Sequence, residues 1–311
     1  MDPQLIAQAV ALLRAGQLVA FPTETVYGLG ANALDPAAVE RIFAAKGRPP
    51  TSPLIVHVAD VAMARSLALV WPETAEKLAA HFWPGPLTLV VPKRSVICGR
   101  ITAGLPTVGL RMPRHPVALA LLREAGFPIV APSANPFTGL SPTTADHVRE
   151  SLGNRVALVL DGGPCEVGIE STVVSVAGTE PVLLRPGMVS RQAIENLIGP
   201  VRVPGAFAAE TPHQAPGQHP RHYSPRTPLL LATPENLPQN GRGVYVYWST
   251  PSSSYPSVGL PNDPAGYGSR LYGTLHELDH QHWEWIAVEP PPTGPAWLAI
   301  RDRLTRAAAQ R

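Results

Sequence analysis

The sequence predicts a mixed α/β protein made of more than one domain. Short apolar runs typical of buried strands alternate along the chain with longer segments whose apolar residues recur at helical spacing. Capping residues, prolines and glycines mark where these helices begin and end. The chain has 311 residues, more than one hydrophobic core usually organises. These observations favour layers of helices on a mixed sheet, followed by a smaller second domain.

Local signals predict the first elements. Residues 3–15 carry apolar side chains at helical spacing and end at Gly16, so we expect a helix there. The apolar run before Pro22 predicts a strand over 17–21. We expect the chain to leave the sheet at this proline, because proline has no N–H to donate to a neighbouring strand.

A second helix is the next element predicted after the first strand. Asp35 and Pro36 are typical of a helix start, and the apolar pattern behind them ends at Gly47. Lys46 and Arg48 should therefore flank a helix C-terminus. The other elements predicted before residue 200 are strands at 53–58, 86–91, 107–112, 127–131, 155–160, 171–176 and 181–185, and helices near 61–69, 72–82, 116–124 and 143–151.

The last third of the chain has a different composition. Residues 201–227 have no apolar periodicity and are rich in proline and histidine, so we interpret them as an ordered linker. Beyond the linker we expect a small α/β domain with strands at 243–248 and 285–288 and helices at 268–279 and 295–309. The predicted domains are therefore 1–200 and 228–311, joined by 201–227.

Composition excludes several classes of protein. The formal net charge is only +2, and the 25 basic residues are scattered, which argues against binding to nucleic acid mainly through phosphates. No stretch approaches the length of an apolar membrane span, and the N-terminus lacks an export signal. Cys98 and Cys165 have no metal-ligand spacing, so we expect a cytoplasmic protein without a disulfide framework.

Residues 21–30 form the most informative segment. They place hydroxyls and a carboxylate directly after a predicted strand, and Lys46 and Arg48 follow after the next helix. Ligands of open α/β sheets bind beyond strand ends. Gly28 and Gly30 lack the third glycine of a dinucleotide fingerprint, so we expect them to let the backbone pass close to a ligand.

Five short segments in one order carry a family resemblance. They are residues 22–29, 46–49, 53–57, 132–135 and 169–172. With them the chain resembles the YrdC-like threonylcarbamoyl-AMP synthases, in the two-domain form with a C-terminal extension, over nearly its whole length. The resemblance implies a twisted mixed-sheet catalytic domain and a small Rossmann-like α/β C-terminal domain.

The resemblance also implies a reaction. L-Threonine, bicarbonate and ATP condense to L-threonylcarbamoyl-AMP and pyrophosphate, the first step toward N6-threonylcarbamoyladenosine at position 37 of ANN-decoding tRNAs. The carbamate oxygen must attack the α-phosphate in line with the departing pyrophosphate, so two anions must be brought together. Fixed cations offset that repulsion and stabilise the charge that develops. We expect Mg²⁺ to accompany the triphosphate rather than to occupy a metal site built by the protein alone.

Lys46, Arg48, Arg111 and Arg185 are the candidate cations, and the motif context assigns catalysis to Lys46 and Arg48. Any single Arg could instead be a solvated element end. The resemblance implies that the pocket for L-threonine and bicarbonate is formed by Thr25, His57, Arg111, Ala131 and Ser171. It implies that ATP is bound by Arg48, Ser52, Thr107, Ser133, Asn135, Ser141, Arg185 and Tyr223.

Several of these residues have simpler interpretations. His57 lies in an apolar strand, where a core histidine is common, and we do not assign it base catalysis. Ser133 and Asn135 are also ordinary turn residues. His219 and His222 suggest a metal site, but no ligand partner stands at the right spacing. By resemblance, Tyr223 belongs to a lid segment that covers ATP and excludes water.

Two alternative functions remain open at this point. A YrdC-like surface could bind double-stranded RNA or tRNA, although the dispersed charge predicts weak or no direct tRNA binding. A carbamoyltransferase of the hydrogenase-maturation type is disfavoured, because two isolated cysteines cannot supply its zinc segments. The resemblance implies a transient partner, a downstream tRNA threonylcarbamoyl transferase.

The C-terminal region departs most from the family pattern. Residues 281–285 stand where a turn with glycine is expected. Trp283 and Trp285 are therefore predicted to be contacts within the core or between the domains.

Overall fold

The computed structural model describes residues 2–204, 216–217, 219 and 221–309. Part of the predicted linker, namely 205–215, 218 and 220, lies outside the described residues. The described helices are α1 (Pro3–Arg14), α2 (Pro36–Lys46), α3 (Val61–Leu67), α4 (Glu73–Phe82), α5 (Pro116–Ala125), α6 (Ala145–Leu152), α7 (Arg191–Ile198), α8 (Pro264–Asp279) and α9 (Leu298–Ala307).

The described strands form two sheets. They are β1 (Val19–Phe21), β2 (Gly28–Asn32), β3 (Ile55–His57), β4 (Leu87–Pro92), β5 (Thr107–Arg111), β6 (Ile129–Val130), β7 (Leu158–Val159), β8 (Thr172–Ser175), β9 (Val182–Arg185), β10 (Leu229–Leu231), β11 (Gly243–Tyr247), β12 (Ser257–Gly259) and β13 (Trp285–Val288). The larger sheet has the order β7-β1-β2-β6-β3-β5-β4-β8-β9, and the smaller has the order β10-β13-β11-β12.

The larger sheet is mixed and buried on both faces. β3 pairs in parallel with β5, whereas β1 and β2 pair antiparallel. Successive residues of β1 point to opposite faces, so Ala20 joins one core cluster while Val19 and Phe21 join another with α1 and α5. The predicted mixed α/β fold is confirmed.

The smaller sheet is parallel throughout its described pairs, with α8 and α9 packed on it. Parallel strands need helical crossovers, and this arrangement confirms the predicted Rossmann-like C-terminal fold. Trp285 packs in the core of this unit, and Trp283 stacks with Arg242. His282 has a left-handed φ of 55° in the turn where glycine was expected.

Four of the described α-helices and strands were not predicted from the sequence. β2 occupies the segment that we interpreted as backbone passing close to a ligand; its Gly28 pairs with Phe21 and also lines a cavity. The others are α7, β10 and β12. The strands among them have three to five residues, too short to show a period of their own, and depend on pairing with neighbours.

Candidate active site

A cavity opens where β3 and β5 end side by side. Counting the open solvent at its mouth, about 550 Å³ of space lies between its lining atoms. His57 and Arg111 are the last residues of these two parallel strands and pair in register. The lining residues are Thr23, Thr25, Val26, Gly28, Arg48, Ile55, His57, Arg111, Ala131, Pro132, Ser133, Glu170, Ser171, Arg185, Pro216, Gly217, His222 and Tyr223.

Arg111 is held at the cavity wall by a buried ion pair. Its Nη2 donates to Oε1 of Glu24 at 2.7 Å, and the backbone N–H of Arg114 donates to the other carboxylate oxygen at 3.0 Å. Burial alone would raise the pKa of Glu24, but the Arg111 guanidinium holds it below the ordinary value of 4.5. Glu24 therefore orients Arg111, a role that the sequence did not reveal.

Arg185 and Ser171 form a second fixed pair across the strand ends of β8 and β9. Arg185 donates through Nε to the Ser171 carbonyl at 3.0 Å and through Nη2 to Ser171 Oγ at 3.1 Å. The Ser171 hydroxyl also lies 2.8 Å from Oγ1 of Thr88. These contacts leave little freedom in either side chain, so both are preorganised for a ligand.

The end of α2 brings a third cation to the cavity. Gly47 ends the helix in the left-handed conformation, with φ of 62°, which glycine adopts without strain. Arg48 then donates to the carbonyls of Ser52 and Pro53 at 3.3 and 2.9 Å. Its guanidinium lines the cavity.

Lys46 lies behind the loop that follows β6. Its Nζ donates to the carbonyl of Ser133 at 2.6 Å and to that of Asn135. Burial first, and the nearby charge of Arg48 second, lower the pKa of Lys46 well below its ordinary value. In this arrangement Lys46 fixes the Ser133 loop, while Arg48 faces the cavity.

His57 is a neutral imidazole in the cavity wall. Burial and the adjacent charge of Arg111 lower its pKa to about 3. Its ring meets Phe21 edge to face, with centroids 6.0 Å apart. Nδ1 has no hydrogen-bond partner among the described residues. The side chain can accept or donate one hydrogen bond, but it carries no charge at neutral pH.

Nine of the predicted site residues come together in the lining. They are Thr25, Arg48, His57, Arg111, Ala131, Ser133, Ser171, Arg185 and Tyr223. Five do not line it. Lys46 and Asn135 support the loop, Ser52 offers its carbonyl to Arg48, and Ser141 donates to Glu170 at 2.5 Å. Thr107 lines a smaller neighbouring pocket.

The linker reaches the cavity through the residues that the structure describes. Tyr223 is buried, and its backbone is left-handed with φ of 61°. Its ring stacks on that of Tyr272 in α8, with the ring centroids 6.0 Å apart. His222 is buried beside it, and burial and the surrounding cations lower its pKa well below 6.5. Within the described residues no group of three His, Cys, Asp or Glu side chains could hold a metal ion.

Glu170 and Arg303 are site residues that the sequence reasoning missed. Arg303 donates through Nε to Oε2 of Glu170 at 2.8 Å. Glu170 had a signal, since it stands in the 169–172 segment next to Ser171. Arg303 had none, because its helix belongs to the C-terminal unit.

Among the described helices, none combines the length and the apolar character needed to cross a membrane.

Comparisons with known proteins show which proteins this chain is similar to. Residues 11–187 match a family model described as "Telomere recombination", and residues 189–309 match one described as "Threonylcarbamoyl-AMP synthase, C-terminal domain". A threonylcarbamoyl-AMP synthase of Bacillus subtilis is 45% identical over 100% of this chain and 94% of its own. One of Pyrococcus abyssi is 40% identical over 97% and 94%. A crystal structure of P. abyssi Sua5 complexed with L-threonine matches with a TM-score of 0.94 at 39% identity, over 99% of this chain and 95% of that one.

Proposed function

The chain belongs to the threonylcarbamoyl-AMP synthase family, and we propose that it condenses L-threonine, bicarbonate and ATP to L-threonylcarbamoyl-AMP, pyrophosphate and water. The observation that carries this proposal is the gathering of Arg48, Arg111 and Arg185 around one cavity. Two anionic reactants meet in this reaction, and fixed guanidinium groups lower the free energy of bringing them together. The reaction makes the protein a nucleotidyltransferase.

Arg111 is our candidate for binding the threonine carboxylate. Glu24 holds its guanidinium at the end of β5, and a planar fork suits a carboxylate. Thr25, His57, Ala131 and Ser171 line the same cavity, and we propose that they complete the threonine pocket, with His57 as a neutral hydrogen-bonding group. The threonine amine must lose its proton to capture bicarbonate carbon, and we assign no side chain as the base.

Arg48 and Arg185 are our candidates for the phosphates of ATP, with Ser133 beside them. Lys46 acts in this proposal by holding the Ser133 loop rather than by touching phosphate. Ser52, Thr107, Asn135 and Ser141 stay predicted ATP-site residues, although they do not line the cavity as described.

Mg²⁺ is proposed as a partner of the triphosphate. Glu170 is the carboxylate in the lining, and it already accepts hydrogen bonds from Ser141, Tyr272 and Arg303. A carboxylate so occupied is a poor ligand for a cation, so phosphate oxygens and water would supply most of the coordination. Bound there, the ion would offset charge on the leaving pyrophosphate.

His222 and Tyr223 are proposed as the part of the linker that covers the nucleotide. Both are buried and line the cavity. A cover of this kind excludes water, which would otherwise hydrolyse a reactive adenylate. We propose the boundaries 1–200, 201–227 and 228–311 for the catalytic domain, this linker and the C-terminal domain.

The product is a mixed anhydride that must reach tRNA. We propose that it passes to a tRNA threonylcarbamoyl transferase through a transient contact, in the cytoplasm, and that this chain itself binds tRNA weakly or not at all. The net charge of +2 supports the last point.

The test is pyrophosphate release by the purified protein with Mg²⁺. We expect release only when ATP, L-threonine and bicarbonate are all present, and omission of any one should abolish it. Arg111→Lys should lower kcat/KM for threonine by roughly a hundredfold, since lysine cannot form the bidentate contact. Arg114→Lys is the matched control, because its side chain pairs with Glu166 on the surface. Release that does not depend on threonine would refute the proposal.

A further inference from the structure

Arg303 is a cation of the C-terminal unit that reaches the cavity wall. It lies on α9, and its side chain is 0% exposed. Its Nε donates to Oε2 of Glu170 at 2.8 Å, across 133 positions of sequence. A charged side chain without exposure is tolerated only when it is paired. The pairing partner here lines the cavity.

The same guanidinium also holds the segment after β9. Nη2 donates to the carbonyl of Pro186 at 3.0 Å, and Nη1 donates to the carboxylate of Asp302 at 2.7 Å. The Cζ atom lies 5.0 Å from the centre of the Tyr223 ring, a distance at which a cation is attracted to an aromatic face. One side chain thus contacts two loops of the catalytic domain and the linker.

The residues that Arg303 contacts are the sequence neighbours of Ser171 and Arg185. Arg303 binds Glu170, which precedes Ser171, and Pro186, which follows Arg185. Ser171 and Arg185 are themselves joined by two hydrogen bonds. Arg303 therefore fixes the two backbone segments whose separation sets the position of the Arg185 guanidinium.

Charge gives Arg303 a second effect on Arg185. Burial disfavours the charged form of Glu170, while Arg303 and then Arg185 hold the pKa of Glu170 below its ordinary value. If Arg303 were absent, Arg185 would be the cation with the largest remaining influence on the buried carboxylate. Drawn toward Glu170, it would lose its place beside Ser171.

We propose that Arg303 is a positioning residue for the nucleotide half of the cavity, which keeps Glu170 occupied so that Arg185 stays on Ser171 and available to phosphate. The proposal rests on the function proposed above. It gives the C-terminal domain an indirect part in catalysis, because one of its side chains positions Glu170 and Arg185.

The experiment compares Arg303→Met with Arg301→Met, an exposed arginine of the same helix. We expect Arg303→Met to raise KM for ATP at least about tenfold, and Arg303→Lys to raise it less, since lysine keeps the charge but not the fork. Arg301→Met should behave as the unaltered protein. A merely structural role would reduce the amount of folded enzyme, which lowers kcat without changing KM.

Amide hydrogen exchange measures the same effect without activity. Exchange at residues 169–172 and 184–187 should be faster in Arg303→Met than in Arg301→Met, because the two segments lose their shared partner. Unchanged exchange and unchanged KM for ATP would overturn the proposal. If Arg303→Met does not fold, the Lys variant decides, and a normal KM with normal exchange in it has the same meaning.

The two proposals can fail separately. An unaltered protein that releases no pyrophosphate contradicts the proposed function, and the exchange data still decide whether Arg303 holds the two segments. Normal pyrophosphate release with an unaffected Arg303→Met variant contradicts the role of Arg303 alone.

Discussion

His57 shows how one residue can be polar, buried and uncharged beside a cation. The strand that carries it is apolar, and the side chain is buried against Phe21. Desolvation and the charge of Arg111 both disfavour the imidazolium form, so the pKa falls from 6.5 to about 3. The histidine therefore adds a hydrogen-bonding group to the cavity without adding a repulsive charge near the cations.

This depressed pKa makes stability depend on pH. Between pH 6.5 and 3 the unfolded chain binds a proton at His57 and the folded chain does not, so the free energy of unfolding falls as the pH is lowered through this window. From pH 7.5 to 5.5 the share of this residue should be about 1 kcal/mol. Urea unfolding at the two pH values measures it.

His57→Gln should reduce the difference between the two pH values, because glutamine does not titrate. His81→Gln is the control, since His81 is exposed on α4. An equal pH difference in the His57 variant and the unaltered protein would be incompatible with a neutral buried imidazole.

At the scale of elements, β2 accounts for the close packing of the larger sheet near the cavity. It lies between β1 and β6 and pairs antiparallel with both. A Cβ on Gly30 would be 2.9 Å from the Phe21 ring and 3.1 Å from the Val19 carbonyl oxygen. The glycine is therefore required for space, and Phe21 in turn supports His57.

Gly30→Ala should destabilise the protein by about 2 kcal/mol, since the added methyl group overpacks a well-filled sheet. Urea unfolding gives the change in free energy. Gly178→Ala is the matched control, because a Cβ there would meet nothing within 4 Å. Similar midpoints for the two variants would show that the sheet accommodates the methyl group without strain.

At the scale of the whole molecule, the contact between the unit of the larger sheet and the C-terminal unit matters most. Val26 and Ile169 of the catalytic unit share one hydrophobic cluster with Tyr223 and with Leu271 of α8. Gly168 lets the chain pass α8 closely, since a Cβ there would lie 2.4 Å from the Gly268 carbonyl oxygen. Ile169 packs in this shared cluster, and the next residue, Glu170, lines the cavity.

Gly168→Ala should therefore separate the two units as well as strain the backbone, whose φ is 77°. Gly163→Ala has a similar φ of 80° but open space around the Cβ. It should cost only the left-handed penalty of about 1 kcal/mol. We expect the Gly168 variant to lose more stability in urea and to show faster amide exchange in α8.

Equal losses in the two variants would mean that backbone strain accounts for the whole effect. In that case the close approach of the two units at Gly168 would contribute nothing measurable.

The sequence by itself determined the features that depend on neighbouring residues. Asp35, Pro36 and Gly47 specify the start and the end of α2 through caps within a few positions, and the structure has them there. The motif segments likewise identified most of the cavity lining, because strand ends in α/β sheets converge on one edge. The mixed α/β fold and a small α/β C-terminal domain were predicted as well, and the family resemblance implied that this second domain is Rossmann-like.

Only the tertiary structure decided which side chains meet. β2 and β12 are too short to show a period alone, and pairing with adjacent strands stabilises them. Nothing near Lys46 in sequence indicates that it binds the carbonyl of Ser133 rather than facing the cavity. Arg303 and Glu170 meet because residues of the two units, which are far apart in sequence, pack into one hydrophobic cluster. A buried ion pair forms only where the fold brings two opposite charges together, and the residues next to each charge in sequence do not determine that place.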